Sequence, residues 1–245
     1  MHEDNGHLFL SGAGSSPAGD RPFLDRYWLA DGSTQRLFRS APDAYERVFG
    51  FVGGDVSKLL TWHESPTSPP NAFVRTMGAA LADAPEGEAA FASQAAPVTQ
   101  FPDPAPLVRQ VKKRLGTYKR KDGVVLSFTL YTPPGYVEGT RVPAILYAYP
   151  MDYADPSKAG QVRGSEQTFT RLSNYRLLLL AGYAIIDNAA FPIVGDPRTA
   201  YDTYLEQLVA NAEAAVAKAV ETGVVDPDRI GVTGHSHGAL MTANL

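Results

Sequence analysis

The chain has 245 residues, enough for one large domain or two smaller ones, and its 44% hydrophobic and 20% charged content is that of an ordinary globular protein. A formal net charge of -4 argues against a general nucleic-acid-binding role, which needs clustered Lys and Arg. The absence of cysteine excludes disulfides, thiolate metal sites and a cysteine nucleophile.

The first residues, 1–6, are polar and acidic, unlike the basic start of a signal peptide. The longest apolar run, 177–186, is interrupted by Gly182 and is too short to span a bilayer. No membrane partner is therefore expected, and the compartment is left open between cytoplasm and periplasm.

Up to about Met77 the chain reads as short strands with turns. Residues 7–11, 26–29 and 35–40 mix apolar and polar side chains, and Asp31-Gly32 is a hairpin signal between the last two. Residues 48–52 and 58–64 follow, parted by Gly53-Gly54-Asp55, and a turn-rich 65–71 leads to 72–75. The spacing fits antiparallel sheet of the kind found in propeller blades. His2, His7 and His63 fall here and read as strand or surface residues. Residues 78–106 are rich in Ala and Pro, and the Phe101-Pro102-Asp103-Pro104-Ala105-Pro106 run cannot be regular helix or central strand. The whole stretch reads as an interdomain linker.

From Lys112 the pattern changes. Residues 115–120 and 124–131 flank Lys121-Asp122-Gly123, a second hairpin signal. Residues 142–149 form a continuous apolar strand of the kind buried on both faces, 167–180 reads as a helix stopped by Gly182, and 183–187 is another buried strand. Residues 201–222 carry Leu205, Leu208, Val209, Ala212, Ala215, Val216, Ala219 and Val220 on one helical stripe, ended by Gly223. A short strand, 229–233, follows. Strands alternating with helices predict an α/β doubly wound sheet. The expected domains are 1–77, antiparallel sheet; 78–106, the linker; and 107–245, an α/β fold.

That last strand runs into Gly234-His235-Ser236-His237-Gly238, a G-x-S-x-G sequence. Between a strand and a helix this string marks a nucleophile elbow, a tight turn that exposes a reactive serine. Gly234 and Gly238 are needed because side chains there would strike the neighbouring strand and helix. The helix that follows turns its positive end to the serine, and the backbone N–H of His237 is the expected oxyanion donor. Neither His235 nor His237 is expected as the general base, because neighbouring side chains on a sharp elbow diverge from the serine hydroxyl. No metal site is expected from the pair, since no cluster of carboxylates accompanies them, and no cofactor is implied.

With these residues in view, the chain resembles the prolyl oligopeptidase family of serine peptidases, most of all its glutamyl-endopeptidase and acylaminoacyl-peptidase-type members. The resemblance runs from about Phe101 to the end. It rests on FPDPAP at Phe101, TYKRKDGVVLSFTLYTPPGY at Thr117, PAILYAYP at Pro143 and GHSHGA at Gly234. It implies a propeller ahead of a partial α/β-hydrolase, Ser236 as nucleophile on peptide substrates, and a tyrosine hydroxyl beside the His237 N–H as second oxyanion donor. Tyr149 matches that position, with Tyr147 its competitor. Arg163 is a candidate partner for an acidic substrate side chain. The resemblance also implies further strands bearing the triad Asp and His, so the chain reads as C-terminally truncated and inactive by itself, with its last strand left at an edge. A carboxylesterase on the same fold and a non-catalytic propeller-type binding protein are the competing readings.

Overall fold

The computed structural model describes residues 2–4 and 6–245, with side chains from residue 6 onward. The expectation for the His2 side chain falls outside these. The chain divides into two units, the first made of Met1–Ser15, Asp20–Pro104 and Gln167–Phe169, the second of Ser16–Gly19, Ala105–Glu166 and Thr170–Leu245.

The first unit holds two four-stranded antiparallel sheets. One is built in chain order from β1 (His2–Asp4), β2 (His7–Gly12), β3 (Phe23–Trp28) and β4 (Thr34–Arg39); the other from β5 (Tyr45–Val52), β6 (Asp55–Glu64), β7 (Asn71–Ala80) and β8 (Phe91–Pro97). The Asp31-Gly32 turn joins β3 to β4, with Gly32 at φ +73°, the left-handed region glycine enters without strain. Phe9, Leu24, Leu37, Phe38 and Leu59 form the buried core, with Val48, Phe51, Met77 and Phe91 packed against it. Glu46 is buried at 1% exposure and held by Arg75 through paired bonds of 2.6 and 2.7 Å and by His63 Nδ1 at 3.2 Å.

The linker expectation for 78–106 needs correction. Its start completes β7, and Phe91–Pro97 forms β8, paired with β7 from Phe73↔Pro97 to Ala80↔Phe91. Backbone pairing made the strand; composition hid it, because an edge strand with mostly exposed side chains has no buried face to reveal an alternation.

The second unit is a five-stranded mixed sheet. β9 (Lys112–Lys119) and β10 (Val125–Thr132) form the hairpin expected at Lys121-Asp122-Gly123. β11 (Val142–Tyr153), β12 (Ala184–Val194) and β13 (Val225–Thr233) complete the order β13-β11-β12-β10-β9. β11 runs parallel to both β12 and β13, while β10 runs antiparallel to β12 and to β9. Three α-helices punctuate it: α1 (Pro156–Ala159), α2 (Tyr204–Glu221) and α3 (His237–Asn244). On α2, Leu208, Asn211, Ala215 and Ala219 share one buried stripe, and Gly223 at φ +79° ends the turn that follows.

One face of this sheet packs Ala144, Leu146, Ala148, Ile186, Phe191 and Ile193 against Leu208, Ala215, Ala219 and Met241 of the helices. The other packs Ile185, Tyr131 and Ile145 against Val108 and Leu179. The helix expected over 167–180 is instead a 3-10 segment, Asn174–Ala181, entered through Asn174 at φ +49°. A left-handed residue there stops an α-helix from extending back toward Gln167. Arg176 and Tyr175 bind the buried Asp187 on β12, Arg176 Nη2 at 2.5 Å and the Tyr175 hydroxyl at 2.6 Å, so polar anchors fix the segment. Among the described residues no helix is long and apolar enough to cross a membrane.

Candidate active site

The topology itself marks a place. After β11 the chain forms β12 on one side of it, then crosses to form β13 on the other. In open parallel sheets such a reversal leaves a crevice beyond the carboxyl ends of the strands, where ligands bind. Tyr149 lies toward that end of β11, and β13 ends at Thr233, three residues before Ser236.

Ser236 caps α3 with φ 54° and ψ -119°, a conformation that costs a side-chain-bearing residue roughly 1–3 kcal/mol. The strain turns the serine outward: it is exposed, and its hydroxyl makes no hydrogen bond to any described residue. The turn is held by Gly238 N–H donating to the His235 carbonyl at 2.8 Å and Ala239 N–H donating to the Ser236 carbonyl at 2.8 Å. The N–H of His237, first in the helix, donates to no described residue.

Both flanking glycines answer to space. A Cβ on Gly234 would lie 2.3 Å from the backbone carbon and oxygen of Gly238. One on Gly238 would lie 2.6 Å from the Ala148 carbonyl oxygen. The first turn of α3 thus rests directly on β11 at the residue before Tyr149.

The Tyr149 side chain is 47% exposed, makes no hydrogen bond to a described residue, and meets the His237 ring edge-on with centroids 5.9 Å apart. Tyr147 is placed elsewhere, stacked on Tyr175 at 3.9 Å. The His237 ring turns from the serine to the Tyr204 hydroxyl, 3.0 Å from Nε2, and the His235 ring is exposed. Neither is hydrogen-bonded to Ser236.

A pocket of about 60 Å³ opens beside Tyr149, lined among others by Met151, Tyr153, Arg163 and Asn188. Arg163 donates to the Tyr153 hydroxyl and to Met151 Sδ, and no carboxylate among the described residues pairs with it. Asn188, at φ +50°, sits where the β11–β12 register shifts between Leu146 and Ala148. Neither that irregularity nor the Tyr204–His237 bond was visible in the sequence. The bond joins residues 33 apart, with no local pattern to announce it.

Comparison with known proteins places these features. No family model matches the chain. It is 35% identical over 257 aligned residues to a probable chloroplastic glutamyl endopeptidase of Oryza sativa subsp. japonica, covering 99% of this chain and 26% of that protein. The corresponding Arabidopsis thaliana protein is 36% identical over 258 residues, covering 100% and 26%. The chain therefore spans about a quarter of the length of these curated relatives. In fold it is similar to the ligand-free AtxE2 isopeptidase, with a TM-score of 0.58 at 19% identity, covering 96% of this chain and 34% of that one. It is also similar to the Pyrococcus horikoshii acylaminoacyl peptidase, with a TM-score of 0.56 over 98% of this chain and 34% of that one. The likeness to the glutamyl endopeptidases extends from one end of this sequence to the other, and the fold of the two solved peptidases matches it over nearly its whole length.

Proposed function

We propose that this chain carries the nucleophile and oxyanion site of a serine peptidase that cleaves peptide bonds through an acyl-enzyme on Ser236. The observation that carries the reading is a convergence at the end of β11: a strained, exposed serine hydroxyl, an unused backbone N–H at His237, and the unused Tyr149 hydroxyl. The serine oxygen attacks the carbonyl carbon, and the two donors take the negative charge that moves to the carbonyl oxygen. The positive end of α3 adds to that stabilisation. The hydroxyl proton passes by way of a general base to the departing nitrogen, collapse of the intermediate expels the amine, and water then releases the acyl group as an acid, returning a proton to the serine oxygen.

Arg163 supplies the substrate preference in this reading. An arginine in a pocket with a thioether and a phenol for partners keeps its full charge available, and a carboxylate matches its planar fork. An acidic side chain beside the scissile bond is the ligand that fits, in keeping with the relatives' names. The two antiparallel sheets of the first unit are read as two propeller blades. No base is bonded to Ser236 among the described residues, so the 245-residue polypeptide alone is expected to turn over no substrate.

The test is labelling of the natural gene product with a fluorophosphonate, together with peptide substrates bearing glutamate or leucine before the cleaved bond. Labelling and cleavage that vanish in Ser236→Ala support the proposal. Labelling that persists in that variant rejects it.

A further inference from the structure

Resting on the serine-peptidase reading, we infer that Tyr204 is a positioning residue for the oxyanion donor, acting through the His237 ring. The N–H of His237 stabilises charge only if the peptide between residues 236 and 237 keeps one orientation. Two features work against that. The Ser236 backbone is strained, and the first N–H groups of a helix have no intrahelical acceptor to fix them. The hydrogen bonds that close the turn start from Gly238 and Ala239, one and two residues further on.

The His237 side chain supplies the missing restraint. Its Nε2 is 3.0 Å from the Tyr204 hydroxyl, and the two rings lie nearly parallel, 6° apart in plane with centroids at 5.6 Å. Tyr204 opens α2, is 8% exposed and belongs to the main core, so it is a fixed point independent of the elbow. Tyr201 stacks on Tyr204 at 5.2 Å and 6°, and its own hydroxyl lies 3.2 Å from each carboxylate oxygen of Asp152. A line of contacts thus runs from Asp152 near the end of β11 through two tyrosines to His237, while Tyr149 closes the ring's remaining edge. Moving residue 237 breaks a hydrogen bond and unstacks a ring. Burial, followed by the nearby Tyr201 and Asp152, raises the Tyr204 pKa and keeps its hydroxyl neutral at working pH. Tyr204 bonds the imidazole, away from the reacting atoms, so its effect is on geometry.

The experiment uses the natural gene product and three variants: Tyr204→Phe, His237→Ala and the double variant. Tyr204→Phe keeps ring, burial and stacking and removes only the hydroxyl. We expect it to lower kcat and the fluorophosphonate labelling rate by about tenfold, with KM within about twofold, the scale of one hydrogen bond felt in the transition state. His237→Ala should cost at least as much, and the double variant no more than His237→Ala. Wild-type kcat in Tyr204→Phe, a rise in KM instead, or a full second loss in the His237→Ala background would each overturn the inference. The imidazole nitrogen shifts of His237 give a readout separate from activity. Tyr204→Phe should move Nε2 toward the value of an unbonded ring, and an unmoved signal overturns the inference even where the serine reacts. Labelling retained by Ser236→Ala would instead reject the peptidase reading itself.

Discussion

Gly238→Ala offers the sharpest test of how the elbow is seated. The added methyl carbon would lie 2.6 Å from the Ala148 carbonyl oxygen, a backbone atom of β11 that cannot rotate away. Carbon–oxygen contacts are ordinarily about 3.3 Å or longer. The start of α3 must therefore retreat from β11 by about 0.7 Å, or β11 must bend. Gly238 lies in helical backbone, so the cost is purely steric. Overpacking of this kind costs about 1–3 kcal/mol, which for a chain of this size lowers Tm by about 2–12 °C. Gly160→Ala is the matched control in the same unit: its new carbon meets neighbours at 3.5 to 3.7 Å, ordinary contact. That variant should stay within about 0.5 kcal/mol of the parent. Thermal unfolding followed by circular dichroism, with urea titration of both variants, measures the difference. Were Gly238→Ala to melt together with Gly160→Ala, the close approach of α3 to β11 would be refuted. The same retreat displaces Ser236 from Tyr149, and misplacements approaching 1 Å cost up to about 100-fold in rate, so labelling of the natural gene product should fall well over tenfold.

Three further outcomes are expected. Ser236→Gly should raise stability by about 1 kcal/mol, because glycine adopts φ 54° without strain; a Tm below the parent's would show that the turn stores none. Burial alone would raise the Glu46 pKa, yet hydrogen bonds from His63, Arg75 and Thr61 and the charge of Arg75 prevail and bring it from 4.5 to about 2. Its depressed folded-state value contributes about 3 kcal/mol above the unfolded pKa, lost as pH falls from about 4.5 toward 2, so Glu46→Gln should flatten the acid limb of urea-unfolding stability and an unchanged limb would refute the assignment. Arg163→Met should lower kcat/KM for a glutamyl peptide by roughly tenfold to 100-fold while sparing a leucyl peptide, and equal losses on both would remove Arg163 from substrate recognition.

The elbow was legible because its logic is local: two glycines, a serine between them, a strand before and a helix after, all within a dozen residues. The hairpins at Asp31-Gly32 and Lys121-Asp122-Gly123 and the stripe on α2 were legible for the same reason. Other features answered to forces a linear pattern does not carry. β8 exists because β7 offers it hydrogen bonds, although its own side chains are nearly all exposed. The 174–181 segment is apolar enough for a buried helix, yet Leu177 and Leu180 are more than half exposed and polar bonds to Asp187 hold it. The site shows the same division. Ser236, Gly234 and Gly238 could be named as elbow residues from spacing, whereas Tyr149 was a candidate through the resemblance alone, with Tyr147 its competitor. The Tyr204–His237 bond and the soft surroundings of Arg163 arise only when separate strands and helices meet.

The backbone at position 236 also bears on how such a sequence ages. Folding by itself rewards replacement of the serine by glycine, the one residue at ease in that corner. Random substitution filtered only for a sound fold would tend to erase the hydroxyl. A serine at this corner is therefore a residue that stability alone does not select.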